Sequence, residues 1–182
     1  MQHDMIFAGF GGQGVLLIGK MIAYAGLASG KEVCWLPSYG PEMRGGTANC
    51  TVVVSDDVVG SPVVATPWAV VAMNLPSLDK FEPTVAKGGV LLVNTSLINR
   101  PAVRTDVHLV NVAANEICNE LGNPKGANMV TLGCFVGATD VVPVEQIEKL
   151  IRETFAKKPA LVDVNVECFR RGLEVGRSQK AV

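Results

Sequence analysis

Residues 5–15 read Met5-Ile6-Phe7-Ala8-Gly9-Phe10-Gly11-Gly12-Gln13-Gly14-Val15. A short apolar run ends in three glycines spaced G-x-G-x-x-G and passes straight into a helical pattern. This is the strand–turn–helix setting in which such glycines have a physical meaning. The first permits a tight turn, the second a close approach of backbone to a ligand, and the third close helix–strand packing. Free N–H groups at the start of the helix suit an anionic group. Gly9, Gly11, Gly12, Gln13 and Gly14 are therefore candidate contacts for a phosphate or another anionic group.

Working outward, Val15 to Ser29 reads as a helix closed by Gly30. It carries one charge, Lys20, and its apolar surface all round predicts cover on more than one side. Gly19 and Gly26 lie seven apart on one stripe, and a close neighbouring backbone is the expected reason for them. Glu32 to Leu36 follows as a strand stopped by Pro37, then Ser38 to Gly46 as a loop, and Thr47 to Ser55 as a further strand. Ala69 to Met73, Val90 to Asn94 and Asp106 to Val110 are strand candidates, and Ser77 to Phe81 begins a helix. The last third is helical over Ala113–Leu121, Asn128–Gly137, Val144–Phe155 and Leu161–Gly176. Val144, Ile147, Leu150, Ile151 and Phe155 recur at helical spacing. Strands alternating with helices predict an α/β, Rossmann-like three-layer fold with a mainly parallel sheet and a helical C-terminal third. All of residues 1–182 are expected to form one such domain.

Composition bounds the function. Charged residues are 18% and apolar residues 48% of the 182. That balance suits strands covered on both faces, and it also suits a subunit that buries further surface against obligate partners. With a net charge of −1, bulk electrostatics does not draw the chain to nucleic acid. Basic pairs at Lys157-Lys158 and Arg170-Arg171 read as a solvated helix face. No apolar run approaches the roughly 20 residues of a membrane span. The first strand begins too early to leave room for a signal peptide, so the expected location is cytoplasmic. The five cysteines, Cys34, Cys50, Cys118, Cys134 and Cys168, form no Cys-x-x-Cys pair. They are expected as free thiols, without an iron–sulfur motif.

A dinucleotide site also wants a carboxylate about 20 residues on, at the end of the second strand, to hold ribose. Cys34-Trp35-Leu36-Pro37-Ser38 offers none there, and Glu32 stands at the strand's beginning. No Gly-Lys-Ser/Thr follows the glycines, which excludes a Walker-type loop. A stand-alone NAD- or flavin-binding oxidoreductase stays open as the alternative. His3 and His108 lack a neighbouring nucleophile and read as structural or solvated. Asn74 and Asn128 are expected to satisfy loop backbone. Cys50 and Cys134 read as packing residues, and Trp35 and Trp68 as core residues or interface anchors.

The segment Ser38-Tyr39-Gly40-Pro41-Glu42-Met43-Arg44-Gly45-Gly46-Thr47-Ala48-Asn49 is more distinctive than the first. It sets a carboxylate and a guanidinium between a rigid Gly-Pro and a Gly-Gly. An ordinary solvated surface loop is one reading of it. Taken with Gly-Phe-Gly-Gly-Gln-Gly-Val, however, it resembles the gamma subunit of the 2-oxoacid:ferredoxin oxidoreductases. The resemblance runs from Met5 to about Gly176 and includes Gly60-Ser61-Pro62 and Asn74-Leu75-Pro76. The second motif is most similar to the 2-oxoglutarate or general keto acid branch, and less so to the pyruvate branch.

The resemblance implies that a 2-oxo acid, CoA and oxidised ferredoxin give acyl-CoA, carbon dioxide and reduced ferredoxin. It implies thiamine diphosphate, magnesium and iron–sulfur clusters in the complex, with CoA as co-substrate. This chain has neither a Gly-Asp-Gly start for thiamine diphosphate nor grouped cysteines, so those groups are expected on alpha and beta partners, with a delta subunit as a further candidate. No cofactor is expected on this chain alone, and no catalytic or metal-binding residue. Tyr39, Pro41, Glu42, Met43, Arg44, Gly45 and Gly46 are expected at a partner interface. There Arg44 faces a CoA phosphate or a partner carboxylate, or else braces the loop internally. The isolated chain is a candidate homodimer.

Overall fold

A computed structural model describes residues 1–40 and 46–180. Its centre is a six-stranded sheet: β1 (Gln2–Phe10), β2 (Glu32–Tyr39), β3 (Thr47–Ser55), β4 (Ala69–Ala72), β5 (Val90–Asn94) and β6 (His108–Val112). The helices are α1 (Val15–Ala28), α2 (Leu75–Phe81), α3 (Ala114–Glu120), α4 (Ala127–Thr139), α5 (Val144–Phe155) and α6 (Pro159–Arg177). Strand order across the sheet is β2-β3-β1-β4-β5-β6.

β1, β4, β5 and β6 are parallel neighbours. β3 is antiparallel to both β1 and β2. It follows that β1 and β2 run the same way, and that β3, reversed, lies between them. The short link from Tyr39 to Thr47 explains this: a hairpin-length connection joins antiparallel neighbours, whereas a parallel return needs a crossover. The sheet is thus mixed within the expected three-layer α/β plan, with three of its five pairings parallel.

Alternating residues send β1 into two cores. Met5 and Phe7 join α1, α4, α5 and α6 in the larger core, while Ile6 and Ala8 join Leu78 of α2 in the smaller. Phe7 meets Phe135 of α4 edge-on, with ring centroids 5.3 Å apart. Each ring is fully buried, so such a pair stabilises by about 0.5–1.5 kcal/mol beyond area burial.

Several expectations need correction. Pro37 does not stop β2, which continues through Ser38 to Tyr39. β2 is an edge strand, where a residue without an N–H is tolerated. The neighbours that require Gly19 and Gly26 are side chains of the inserted strand and not backbone. A β-carbon at Gly19 would overlap the Cys50 sulfur, and one at Gly26 would lie 3.2 Å from Val54. α1 is covered by the sheet, α4 and α5 but leaves Lys20, Tyr24 and Leu27 exposed along one stripe. Trp35 is one-third exposed rather than in the core.

The tightest packing is between α4 and α6. Gly133 and Gly137 on one helix face Gly172 and Gly176 on the other, and a β-carbon at Gly172 would overlap the backbone carbonyl of Val130. α4 can therefore lie buried between the sheet and α6, with Asn128 to Ala138 continuously buried. Gly172→Ala is expected to lower unfolding free energy by about 1–3 kcal/mol through overpacking. Gly60→Ala, at a position open to solvent, serves as the control in the same denaturant titration. Equal midpoints for the two variants would contradict this packing.

Candidate functional site

The chain leaves β1 toward β2 and β3 on one side, while β4, β5 and β6 continue on the other. The carboxyl ends of β1 and β4 therefore flank a topological switch point, where open α/β sheets take their ligands. The glycine turn sits there. Gly12 and Gly14 have φ of 99° and 75°, conformations that favour glycine. A β-carbon on Gly14 would also run into the Asn128 amide at the start of α4. The starts of α1 and α4 are thus brought together at the turn.

Gln13 ties the turn to the next strand. Its Oε1 accepts hydrogen bonds from Phe10 N–H at 2.7 Å and Asn74 Nδ2 at 3.0 Å, and its Nε2 donates to the Met73 carbonyl at 3.4 Å. Asn74 Oδ1 accepts from Ser77 N–H at 3.0 Å and caps α2, as expected of a loop asparagine. Asn94, fully buried at the end of β5, donates to Asn115 Oδ1 at 2.9 Å. Its own oxygen accepts from Ala114 N–H and Ser96 N–H. Amides suit this place because each carries both donors and acceptors, whereas a buried unpaired charge would cost several kcal/mol. Asn94 and Asn115 went unrecognised in the sequence; the only sign of them was an asparagine at the end of a strand and another just inside a helix.

The second motif arrives at the same spot. Register pairs Gly9 with Ala48 and Phe10 with Thr47. Gly11 N–H donates to the Gly46 carbonyl at 2.8 Å, and Gly40 N–H donates to Thr47 at 3.1 Å. Both ends of the loop are therefore anchored beside the glycine turn. Pro41, Glu42, Met43, Arg44 and Gly45 lie outside the described residues. Tyr39, half exposed, lines an apolar pocket of about 340 Å³ with Phe10, Gly12 and Leu16. On the other side of the turn, Gln13, Asn115, Lys125 and Asn128 line a polar pocket of about 370 Å³.

A larger cavity, about 470 Å³, lies at the opposite end of the sheet among Met1, His3, Lys31, Asp56 and Asp140. Its charges are matched internally: Asp56 pairs with Lys31 and the terminal ammonium, and Asp140 with Lys180. Those partners hold the Asp56 carboxyl down at about 2. His3 sits against Trp68, and burial lowers its pKa. His108 Nε2 lies 2.6 Å from the Gln179 carbonyl. Neither histidine joins the glycine turn.

The reversed strand bears on the ribose question too. With β3 between them, the end of β2 lies two strand spacings, about 10 Å, from the end of β1. A carboxylate there would sit one strand farther from the turn than in a dinucleotide site. Among the described residues, no three His, Cys, Asp or Glu side chains gather as a metal site. Burial pushes the Cys50 and Cys134 thiols up to about 12, which suits packing and not thiolate ligation. No described helix is long and apolar enough to cross a membrane.

A match to the family described as pyruvate ferredoxin/flavodoxin oxidoreductase spans residues 4–175. The chain belongs to that family. Within it, the chain is of the gamma-subunit type. The crystal structure of the gamma subunit of a keto/oxoacid ferredoxin oxidoreductase from Geobacter sulfurreducens superposes with a TM-score of 0.82 at 30% identity, covering 97% of this chain and 99% of that one. The 2-oxoglutarate synthase subunit KorC of Methanocaldococcus jannaschii is 33% identical over 180 residues, 97% of this chain and 95% of its own. The ketoisovalerate oxidoreductase subunit VorA of Methanothermobacter thermautotrophicus is 42% identical over 174 residues, 93% of this chain. The chain spans about a third of that relative's length, 35%.

Gln13→Leu is expected to cost about 1–3 kcal/mol, because Phe10 N–H is left without its acceptor. Chemical denaturation of the full chain measures it. A loss below about 0.5 kcal/mol, the scatter of ordinary surface substitutions, would show that Gln13 does not hold the turn.

Proposed function

We propose that residues 1–182 act as one unit, the gamma component of a CoA-dependent 2-oxoacid:ferredoxin oxidoreductase. The reaction takes a 2-oxo acid, CoA and oxidised ferredoxin to acyl-CoA, carbon dioxide and reduced ferredoxin. The observation that carries this reading is family membership from residue 4 to 175, combined with a glycine turn at the switch point beside the second motif. 2-Oxoglutarate is the proposed acid, supported by the near end-to-end similarity to KorC. The higher identity to VorA sets branched keto acids next in line.

Thiamine diphosphate, magnesium and iron–sulfur clusters belong, in this reading, to alpha and beta partners, with delta as a further candidate; ferredoxin takes the electrons. They supply the decarboxylation and the electron path. The residues described here do not suit them: the thiols of Cys50 and Cys134 are held protonated, and the amides at the switch point are paired with one another. The chain's own contribution, in this reading, is the glycine turn: Gly12 and Gly14 present backbone N–H groups toward a phosphate of CoA, while Gly9, Gly11 and Gln13, already hydrogen-bonded, hold the turn in shape. The Tyr39–Gly46 segment, anchored at both ends beside that turn, is the proposed partner contact. The cytoplasm is the proposed compartment.

The alternative, a stand-alone NAD- or flavin-binding enzyme, is disfavoured by the strand inserted between β1 and β2. Reconstitution separates the two. CoA-dependent ferredoxin reduction by the partner subunits is expected to require this chain, and the chain alone is expected to oxidise no keto acid. Full activity without it, or micromolar binding of NAD(H) or FAD by the chain alone, would overturn the assignment.

A further inference from the structure

We infer that Gln179 guards the open edge of the sheet. Its side chain stands in for a neighbouring strand and keeps β6 from pairing with β6 of a second copy of this chain.

β6 is the last strand of the sheet, and its five residues pair with β5 on one side only. His108 N–H donates to the Gly89 carbonyl, and the Val112 carbonyl accepts from Thr95 N–H. Both residues therefore face β5, and by alternation Leu109 and Asn111 turn their N–H and C=O groups outward. Such a row is a template for another chain. His108-Leu109-Val110-Asn111-Val112 carries no charge-bearing Lys, Glu or Asp and no proline that would discourage pairing.

Gln179 occupies that row. Its Oε1 accepts from Asn111 N–H at 2.9 Å, and its Nε2 donates to the Asn111 carbonyl at 2.8 Å. A side-chain amide carries donor and acceptor together, as a peptide group does. The two-way exchange is the one that facing residues make in an antiparallel ladder. Three further contacts aim this side chain. Gln179 N–H donates to the Gly176 carbonyl at 3.0 Å, and Nε2 also donates to the Val175 carbonyl at 3.2 Å. The Gln179 carbonyl lies 2.6 Å from His108 Nε2. Gly176 itself packs against the backbone of α4, which fixes the end of α6 beside the sheet.

The opposite edge is blocked by other means. Gly40 N–H donates to the Thr47 carbonyl, so even-numbered residues of β2 face β3 and odd-numbered ones face out. Pro37 is among the latter and removes a donor from the middle of that edge. β2 carries its guard within the strand. β6 has none of its own and takes one from the end of α6.

The occupant kept out is a second β6. Turned antiparallel about a two-fold axis at Val110, each copy sets Leu109 opposite Asn111 of the other. Both pairs can then exchange N–H and C=O in each direction. The edge is self-complementary, as an isologous contact requires.

The experiment uses the full chain as wild type, Gln179→Ala, Gln179→Met and the double variant Gln179→Ala with Asn111→Pro. Amide exchange at Asn111 and sedimentation across a range of concentrations are measured for each. Gln179→Ala is expected to speed exchange at Asn111 about tenfold or more, in keeping with the loss of one hydrogen bond. It is also expected to add a concentration-dependent association step that wild type lacks. Gln179→Met keeps the length of the stem and removes only the amide, and the same two changes are expected of it should the alanine variant fold poorly. Asn111→Pro takes away the outward donor without touching the pairing with β5, and is expected to return sedimentation to that of wild type. Unchanged exchange at Asn111 would show that the amide does not hold the edge. Faster exchange with wild-type sedimentation at every concentration would show an edge that is open and unused, as a merely structural role at the end of α6 would give. Association that persists with Asn111→Pro would place the contact elsewhere. Any of these three results overturns the guard, and none bears on the gamma-component reading.

Discussion

The structure depends on one pairing: β3 inserted, reversed, between β1 and β2. From Gln2↔Ser55 to Phe10↔Thr47, β1 and β3 are matched along their whole length. That pairing fixes where each distinctive part of the sequence goes. It sets Gly46 against Gly11, so that a loop some 25 residues downstream shares a surface with the glycine turn. It gives Gly19 and Gly26 of α1 a reason, since the helix crosses over Cys50, Val52 and Val54 rather than over a parallel β2. It also moves the end of β2 one strand outward and so dismantles the geometry by which a nucleotide fold holds ribose.

Around that pairing the switch point is built from amides. Gln13, Asn74, Asn94 and Asn115 pass hydrogen bonds across the ends of β1, β4 and β5. A network of this kind is rigid when complete and costly when broken. It holds the turn without introducing a buried charge, and the positive potential is left to backbone N–H groups and to one lysine at the rim. Amides, backbone N–H groups and a lysine donate and accept hydrogen bonds, which suits recognition. That agrees with a gamma-type chain in a family whose members are named as oxidoreductases of 2-oxo acids.

Much of this was legible in the sequence, and what was not has physical causes. α5 was visible at its observed ends because five apolar residues at helical spacing face one core. β5 was visible because a fully buried parallel strand reads as an unbroken apolar run. The run of β2 past Pro37 was hidden, since an edge position is a property of the sheet and not of the residue. The reversal of β3 was hidden for the same reason, although the short link before it carried the signal. Of the site, the glycine turn was plain from its spacing and Gln13 came with it. Asn94, Asn115 and the neighbouring Lys125 and Asn128 converge from three places in the chain, and only the folded sheet brings them together.

Residue-resolved amide hydrogen exchange on the full chain tests the central pairing most directly. With β3 wedged between β1 and β2, its amides have partners on both sides. The account predicts that Thr47–Ser55 is protected to the level of β1 and β4, that Gly11 is protected with them, and that β2 exchanges faster as an edge. Exchange of Thr47–Ser55 at the rate of β2, with Gly11 as fast as a free peptide amide, would contradict it.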